Sequence, residues 1–169
     1  MYLEWMREYR DVVEKLIKYC NYYAQSYKDE KYYGTEIPIS FAQVQVLEYL
    51  LENEERHQNM SKIASRLGIR ISNFSKIVNK LVDKNLLEKY HVVDNKKDVI
   101  VKVTDYGRKI YLQYVDTICD YHFKAMFEVA DQIPKEYLPL IASMLEAGSA
   151  RSKAVKDEKE KELIPICRK

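Results

Sequence analysis

The sequence predicts a mainly α-helical fold with one small β-hairpin, and three observations support this prediction. The chain of 169 residues has only four Gly and four Pro, which favours long helices and few loops. Apolar residues recur at steps of three and four along most of its length. Val99, Val101 and Val103 instead recur at every second position, with Lys102 among the polar positions, as in a half-buried strand. The length suits one compact domain, or a small domain with helical extensions.

The first predicted helix runs from Leu3 to about Tyr33 and is apolar along one side. Such a stripe is stable only when another surface covers it. Gly34 and Pro38 are expected to end this helix. The stripe consists of Trp5, Tyr9, Val12, Val13, Leu16, Ile17, Cys20, Ala24 and Tyr27.

The next two helices are predicted from their caps. Ser40 and Gln43 have the spacing of a capping box at the start of the second helix. Its inward residues are predicted to be Val44, Leu47, Leu50 and Leu51. After a polar connection at 53–57, Ser61 is expected to cap a short third helix that Gly68 ends. This helix turns Ile63, Ala64 and Leu67 inward.

A fourth helix is predicted to begin near Arg70 or Ile71 and to have two unlike faces. Its buried face consists of Ile71, Phe74, Val78, Leu81 and Val82. The opposite face consists of Ser72, Ser75, Lys76, Asn79 and Asp83, flanked by Asn73 and Lys80. Short polar and cationic side chains suit contact with DNA base edges and phosphates. An ordinary solvent-exposed face is the alternative.

Two strands, 88–93 and 99–104, are predicted around a turn at 94–98. Lys96 and Lys97 lie in that turn, where they could reach a minor groove or a phosphate, or serve solubility alone. The order helix, tight turn, helix and hairpin is that of a winged helix-turn-helix. Thr104 and Asp105 then cap a long helix to about Gln132. Pro134 and Pro139 bracket a break, and a last helix runs from about 137 to 156.

Charge is unevenly distributed along the chain. From Ser61 to Lys109 there are twelve Lys or Arg against five Asp or Glu, whereas the remainder is acidic. A basic centre between acidic flanks is typical of a protein that binds nucleic acid, although lysine-rich faces are often only solvated.

Other classes of protein fit the sequence less well. No apolar run is long enough to span a membrane and no signal pattern follows Met1, so a cytoplasmic protein without membrane association is expected. Three distant cysteines do not suggest a disulfide framework. The three histidines lack metal-ligand spacing and no glycine-rich phosphate loop occurs, so neither an enzyme, a metal nor a cofactor is predicted.

Several segments together resemble the MarR family of bacterial regulators. The resemblance covers about residues 40–107 in motif and nearly the whole chain in helix order. It implies a homodimer whose first and last helices interlock, a palindromic double-stranded DNA operator, and release by a small molecule or an oxidant. Repression is the family's usual mode. The segments that carry the resemblance are 40–43, 63–69, 77–84, 86–89, the hairpin and 103–107.

The resemblance implies three regions: an N-terminal dimerisation helix at 1–36, a winged helix-turn-helix at 37–107, and C-terminal dimerisation helices with a charged tail at 108–169. Three positions depart from the family pattern. Arg70 stands where Ser often begins the recognition helix, so Ser72 or a backbone turn must cap it. Asn85 replaces a glycine but tolerates a left-handed backbone. Lys96 and Lys97 replace arginines, which read a minor groove better.

The candidate DNA-binding residues divide by expected role. Base edges and nearby phosphates are assigned to Ser72, Asn73, Ser75, Lys76 and Asn79. The residues expected to contact phosphates alone are Lys62, Arg66, Arg70 and Lys80. Those expected to reach the minor groove are Lys96 and Lys97. A protein-binding winged helix is the main alternative, and it would expose apolar residues on the fourth helix.

Two features suggest regulation. The chain has fifteen tyrosines, many of them in the first helix, and these rings could bind a small aromatic effector or could form packed core. Cys20 lies beside Tyr19, Tyr22 and Tyr23, which leaves a thiol-based oxidant sensor open. Its place on the apolar stripe favours a buried, inert thiol instead.

Overall fold

A computed structural model describes residues 4–56, 58–92 and 95–154, and those ranges contain seven α-helices and one two-stranded antiparallel sheet. The mainly helical fold with a single hairpin is therefore confirmed. The helices are α1 (Arg10–Ser26), α2 (Phe41–Glu52), α3 (Met60–Arg66), α4 (Ile71–Asp83), α5 (Asp105–Ile118), α6 (Lys124–Ala130) and α7 (Leu138–Ala154). The strands are β1 (Leu87–Val92) and β2 (Asn95–Val103).

The described chain separates into two compact units, one ending at Tyr121 and one beginning at His122. The first unit holds α1 to α5 and the hairpin, and the second holds α6 and α7. The three-part division at 1–36, 37–107 and 108–169 rests on expected roles and stays a prediction.

The core of the first unit lies among α2, α3, α4, α5 and the base of the hairpin. Its largest fully buried apolar side chains come from each of these elements, and each stabilises the fold by about 1.5–3 kcal/mol relative to an exposed position. They are Ile39, Leu47, Ile63, Phe74, Leu81, Leu86, Leu87 and Ile110.

The capping box at the start of α2 is confirmed. Ser40 Oγ accepts from the Gln43 backbone N–H, and Gln43 Oε1 accepts from the Ser40 backbone N–H. Val44, Leu47 and Leu50 are buried as predicted, and Leu51 is half-buried.

The prediction that the first helix reaches Tyr33 is wrong, since α1 ends at Ser26. The chain then reverses, with Gly34 at φ +75° and Lys31 paired to Ile39 through their backbones. The misleading periodicity has a physical cause. The rings of Tyr27 and Tyr33 pack beside other aromatic residues, so aromatic side chains occur at these positions although the helix has ended. A 3₁₀ segment at Glu4–Tyr9 precedes α1, and Leu3 lies outside the described residues.

Two predictions about the helix-turn-helix are also wrong. Asn59, rather than Ser61, caps α3, because the Asn59 side chain accepts from the Lys62 backbone N–H. Ile71 is 47% exposed rather than buried, since it is the first residue of α4 and lies beyond the packed turns. Ile63 and Ala64 are buried as predicted, whereas Leu67 and Val82 are only half-buried.

The hairpin differs from its prediction mainly in β2. The turn expected at 94–98 is wrong for 95–98, because β2 begins at Asn95. The pairing changes from His91–Val99 to Val92–Asn95, so β2 contains three extra residues opposite that step. In such a bulge, polar residues can have strand geometry without a regular partner on the other strand. The alternation of apolar and polar residues in the sequence does not show where such a bulge occurs. The predicted positions 93 and 94 lie outside the described residues.

The long helix expected from Thr104 to Gln132 is interrupted. Thr104 caps α5 as predicted, by accepting from the Gly107 backbone N–H. A π-helical turn at Cys119–Phe123 then follows, and α6 ends at Ala130. In the second unit α7 begins at Leu138, close to the predicted start. No helix in the described ranges is long and apolar enough to cross a membrane, and the predicted charged run at 156–162 lies outside them.

Candidate nucleic-acid interface

The turn between α3 and α4 is built from backbone geometry. Gly68 adopts φ +68°, a left-handed conformation that ends α3 at little steric cost. The Ile69 N–H donates to the Ala64 carbonyl oxygen at 2.9 Å, which closes the turn. Arg70 then caps α4 without a side-chain bond, and its carbonyl oxygen accepts from Asn73 N and Phe74 N. Of the two caps considered, the backbone turn is the one observed.

Helix α4 is fixed by a fully buried face and carries a polar face outward. Phe74, Val78 and Leu81 are 0% exposed, so the helix cannot rotate without uncovering them. The outward side chains are short and polar or cationic, as predicted. Ser72, Asn73, Lys76, Asn79 and Lys80 are exposed, and Ser75 is half-buried.

The remaining cations predicted for the helix-turn-helix are also exposed. Lys62 and Arg66 lie on α3, and Arg70 lies in the turn that leads into α4. The two helices pack against each other, so these exposed cations belong to the same helix-turn-helix as the polar face of α4. This region could therefore neutralise several phosphates at once.

The structure adds Lys89, which the sequence analysis missed. Its Nζ donates to Asn79 Oδ1 at 2.5 Å and so joins β1 to the exposed face of α4. Lys89 lies two residues after the buried Leu87 and opposite the buried Val101. Strand alternation places such a residue on the inner face of the hairpin, and that signal could have identified it.

The hairpin also carries Lys102 on β2, whose ammonium group lies 5.2 Å from the centre of the Tyr90 ring. A cation over an aromatic face is attracted by the ring quadrupole. Lys96 and Lys97 belong to β2 by their backbone, but their side chains lie outside the described part of the structure. Their assignment to the minor groove stays a prediction.

A polar cluster ties the end of α4 to the loop after α1. Lys84 Nζ donates to Glu30 Oε2 at 2.9 Å and to Gln43 Oε1 at 3.1 Å. It also donates to the Pro38 carbonyl oxygen at 2.7 Å. Lys80 Nζ lies 3.3 Å from Glu30 Oε1, and Gln43 Nε2 donates to that oxygen at 3.0 Å. Lys80, a predicted phosphate contact, therefore forms an ion pair with the carboxylate of Glu30 in the protein alone.

The charge state of Glu30 follows from this cluster. Partial burial by itself raises the pKa of the Glu30 carboxyl, but hydrogen bonds from Lys84 and Lys80 favour the ionised form and outweigh burial. The pKa of Glu30 consequently lies below its ordinary value, and the residue is a carboxylate at neutral pH.

Some tyrosines around α1 pack against other aromatic rings, whereas Tyr19, Tyr22 and Tyr32 are exposed. Tyr33 stacks on Phe41 with ring centres 5.1 Å apart and meets Tyr114 edge-on at 5.9 Å. Burial raises the pKa of Tyr23 to about 12 and raises that of Tyr114 as well. These contacts favour the core interpretation of this cluster.

The expectation that Cys20 is buried is wrong for the single chain, in which the thiol is exposed. The reason is that the described residues leave much of the apolar stripe of α1 uncovered, since Val12 and Ile17 are also exposed. An oxidant-sensing role for Cys20 stays a prediction.

Comparison with known proteins gives a consistent result. Residues 37–98 match the model of the MarR family. The HTH-type transcriptional regulator PchR of Bacillus subtilis is 29% identical over 118 residues, which cover 66% of this chain and 69% of that protein.

Solved structures with this fold include regulators bound to ligand and to DNA. The PcaV regulator of Streptomyces coelicolor, in complex with its natural ligand, has a TM-score of 0.61 at 13% identity and covers 87% of this chain and 96% of its own. FabT of Streptococcus pneumoniae, in complex with DNA, has a TM-score of 0.58 at 15% identity. The match covers 88% of this chain and 100% of the FabT chain. At these identities the likeness shows a shared fold.

Proposed function

We propose that the chain is a winged-helix transcriptional regulator of the MarR family, which binds a palindromic operator as a homodimer, represses transcription and releases DNA when a small molecule binds. The observation that carries the DNA-binding part is the exposed polar face of α4, held by three fully buried side chains. A rigid helix with Ser, Asn and Lys outward is suited to a major groove.

Residues divide between reading sequence and holding the backbone. Ser72, Asn73 and Asn79 offer short donors and acceptors for base edges, and Ser75 and Lys76 lie beside them. The exposed cations Lys62, Arg66, Arg70 and Lys80 are phosphate contacts, and Lys96 and Lys97 are minor-groove contacts.

Exposed apolar surface supports the homodimer. Trp5 is 70% exposed and Ile17 is 51% exposed on the N-terminal helical segment. In the second unit, Leu140 and Leu145 are 65% and 47% exposed. Large apolar side chains exposed on each of these segments suggest an interaction surface on each, and the family resemblance assigns both to contact with a second copy.

The structures of relatives support the remaining parts. FabT is seen in complex with DNA and PcaV with its natural ligand, and both share this fold. A small-molecule signal is proposed on that basis, and exposed tyrosines outside the packed cluster, such as Tyr22 and Tyr32, suit contact with a small aromatic effector.

Other functions have less support. The polar outward face of α4 argues against a winged helix that binds protein only. Among the described residues, no three His, Cys, Asp or Glu side chains come together as a metal site.

Fluorescence anisotropy with duplex DNA from upstream of the protein's own gene tests the proposal, against scrambled duplex and across salt concentrations. About four phosphate contacts per subunit give roughly eight per dimer, hence a slope of log K against log salt of roughly −7. Binding that exceeds scrambled DNA about a thousandfold supports a sequence-specific regulator. A flat salt response would contradict DNA binding and favour a protein partner.

A further inference from the structure

A cleft of about 240 Å³ lies beside α4, between that helix, the start of α2 and the residues that follow α1. Three lysines line it: Lys28 from the loop after α1, and Lys76 and Lys80 from α4. Ala42 and Ile77 contribute apolar surface. None of the described residues that line the cleft is a carboxylate, so its charge is positive.

The cleft occupies one edge of the exposed face of α4. Asn73, Ile77 and Lys80 are spaced i, i+4 and i+7, so they form one row along the helix. The hairpin meets the opposite edge, where Lys89 donates to Asn79. An α-helix in a major groove has a phosphate backbone on each side. The cleft therefore lies where one of these backbones would pass.

The lysines, rather than the start of α2, supply the positive charge. The Gln43 N–H donates to Ser40 Oγ and the Ala42 N–H donates to the Tyr27 carbonyl oxygen. These backbone donors are already engaged within the protein. Glu30 lies outside the cleft, and its strongest contact is the 2.9 Å bond from Lys84. Lys28 and Lys76 thus remain as the main cations that face the cleft.

We propose that this cleft binds a phosphate of the operator backbone, and that Lys28 is a DNA contact outside the helix-turn-helix. This inference rests on the proposed function, since it adds a contact to the same interface. Lys28 reaches the DNA from the loop after α1, so it also connects the N-terminal helix to the bound duplex.

The test compares Lys28→Gln with Lys31→Gln, which removes the same charge from the same exposed loop but not from the cleft. One lost contact per subunit lowers the magnitude of the salt slope by about 2 for a dimer. Because a phosphate carries no sequence information, Lys28→Gln should weaken binding to operator and scrambled duplex by the same factor. Lys31→Gln should leave the slope near that of the wild type, and Lys28→Arg should retain it.

Duplexes with single neutral methylphosphonate linkages identify the contact directly. At the phosphate held by the cleft, neutralisation should weaken binding by the wild type and have no further effect on Lys28→Gln. A wild-type slope in Lys28→Gln, or an equal loss in Lys31→Gln, would overturn the inference while leaving DNA binding intact. A wild-type protein that binds no DNA would overturn the proposed function and this inference together.

Discussion

The ammonium group of Lys84, at the end of α4, lies 2.9 Å from the carboxylate of Glu30, in the loop that follows α1. The same nitrogen donates to the Pro38 carbonyl oxygen and to Gln43 Oε1. One lysine thus joins the candidate recognition helix to the chain on both sides of the start of α2. Glu30 and Lys84 are 54 residues apart in sequence, so the contact exists only in the folded chain.

Glu30→Gln should lower the free energy of unfolding by about 1 kcal/mol at neutral pH, because a charge-assisted bond to Lys84 becomes a neutral one. Since the pKa of Glu30 is lowered in the folded state, its contribution is complete above the ordinary value of 4.5 and is lost as pH falls through the lowered value. Urea unfolding of both proteins at about pH 7 and about pH 3.5 measures this. The difference between them should shrink at the lower pH.

Glu14→Gln is the matched control, since Glu14 pairs with Arg10 on the exposed surface of α1. An exposed i,i+4 pair contributes about 0.3–0.5 kcal/mol. A difference for Glu30→Gln that stays constant between the two pH values would refute the role given to its charge.

Asn59→Ala should destabilise the protein by about 1 kcal/mol, whereas Ser61→Ala should change its stability by less than about 0.5 kcal/mol. The reason is that the Asn59 side chain accepts from Lys62 N and so caps α3. Thermal unfolding of the two variants at one protein concentration makes the comparison. A larger loss of stability for Ser61→Ala than for Asn59→Ala would instead indicate that Ser61 caps α3, as the sequence predicts.

These elements show which features the sequence could predict. The capping box of Ser40 and Gln43 is local, and so are the left-handed positions at Gly68 and Asn85, with φ values of +68° and +59°. Each depends on a few neighbouring residues, and each is confirmed. Asn59 and Ser61 are both good caps two residues apart, so local preference could not choose between them.

Contacts between distant segments could not be predicted. Lys89 reaches Asn79 and Glu30 reaches Lys84 only after the hairpin, the loop and α4 have packed. The polar face of α4 was predictable because helical periodicity alone separates it from the buried face. The ion pair between Lys80 on this face and Glu30 depends on the tertiary fold, so the sequence alone does not predict it.

Gly107→Ala should destabilise the protein by about 2–4 kcal/mol. A Cβ at this position would clash with the Leu86 carbonyl oxygen, and a backbone atom cannot move aside as a flexible side chain can. Asp116→Ala, at an exposed position on the same helix, should change stability by less than about 0.5 kcal/mol. Denaturant titration followed by circular dichroism measures both, and wild-type stability for Gly107→Ala would refute the close contact.

The pair of substitutions Leu140→Glu and Leu145→Glu should convert a dimer into a monomer, because both side chains are exposed on α7 and would be covered by a second copy. Analytical ultracentrifugation measures the mass, and circular dichroism verifies that the helices remain. Gln132→Glu adds one negative charge at an exposed polar position of this unit and should stay dimeric. A helical double variant that remains dimeric would place the interface elsewhere.

Lys76→Gln should reduce the salt slope of DNA binding more than Lys80→Gln does. Lys80 Nζ lies 3.3 Å from Glu30, so removing Lys80 takes away a charge that is partly neutralised already. Anisotropy titrations across salt concentrations measure both slopes, and a full contact per subunit corresponds to a change of about 2 in a dimer.

The same comparison in a Glu30→Gln background isolates the carboxylate. Without the charge of Glu30, the effect of Lys80→Gln should rise toward that of Lys76→Gln, whereas the effect of Lys76→Gln should stay the same. A double-mutant cycle of this kind separates the coupling between Glu30 and Lys80 from any general loss of stability. Equal effects of the two lysine substitutions in both backgrounds would mean that Glu30 does not compete with DNA for Lys80.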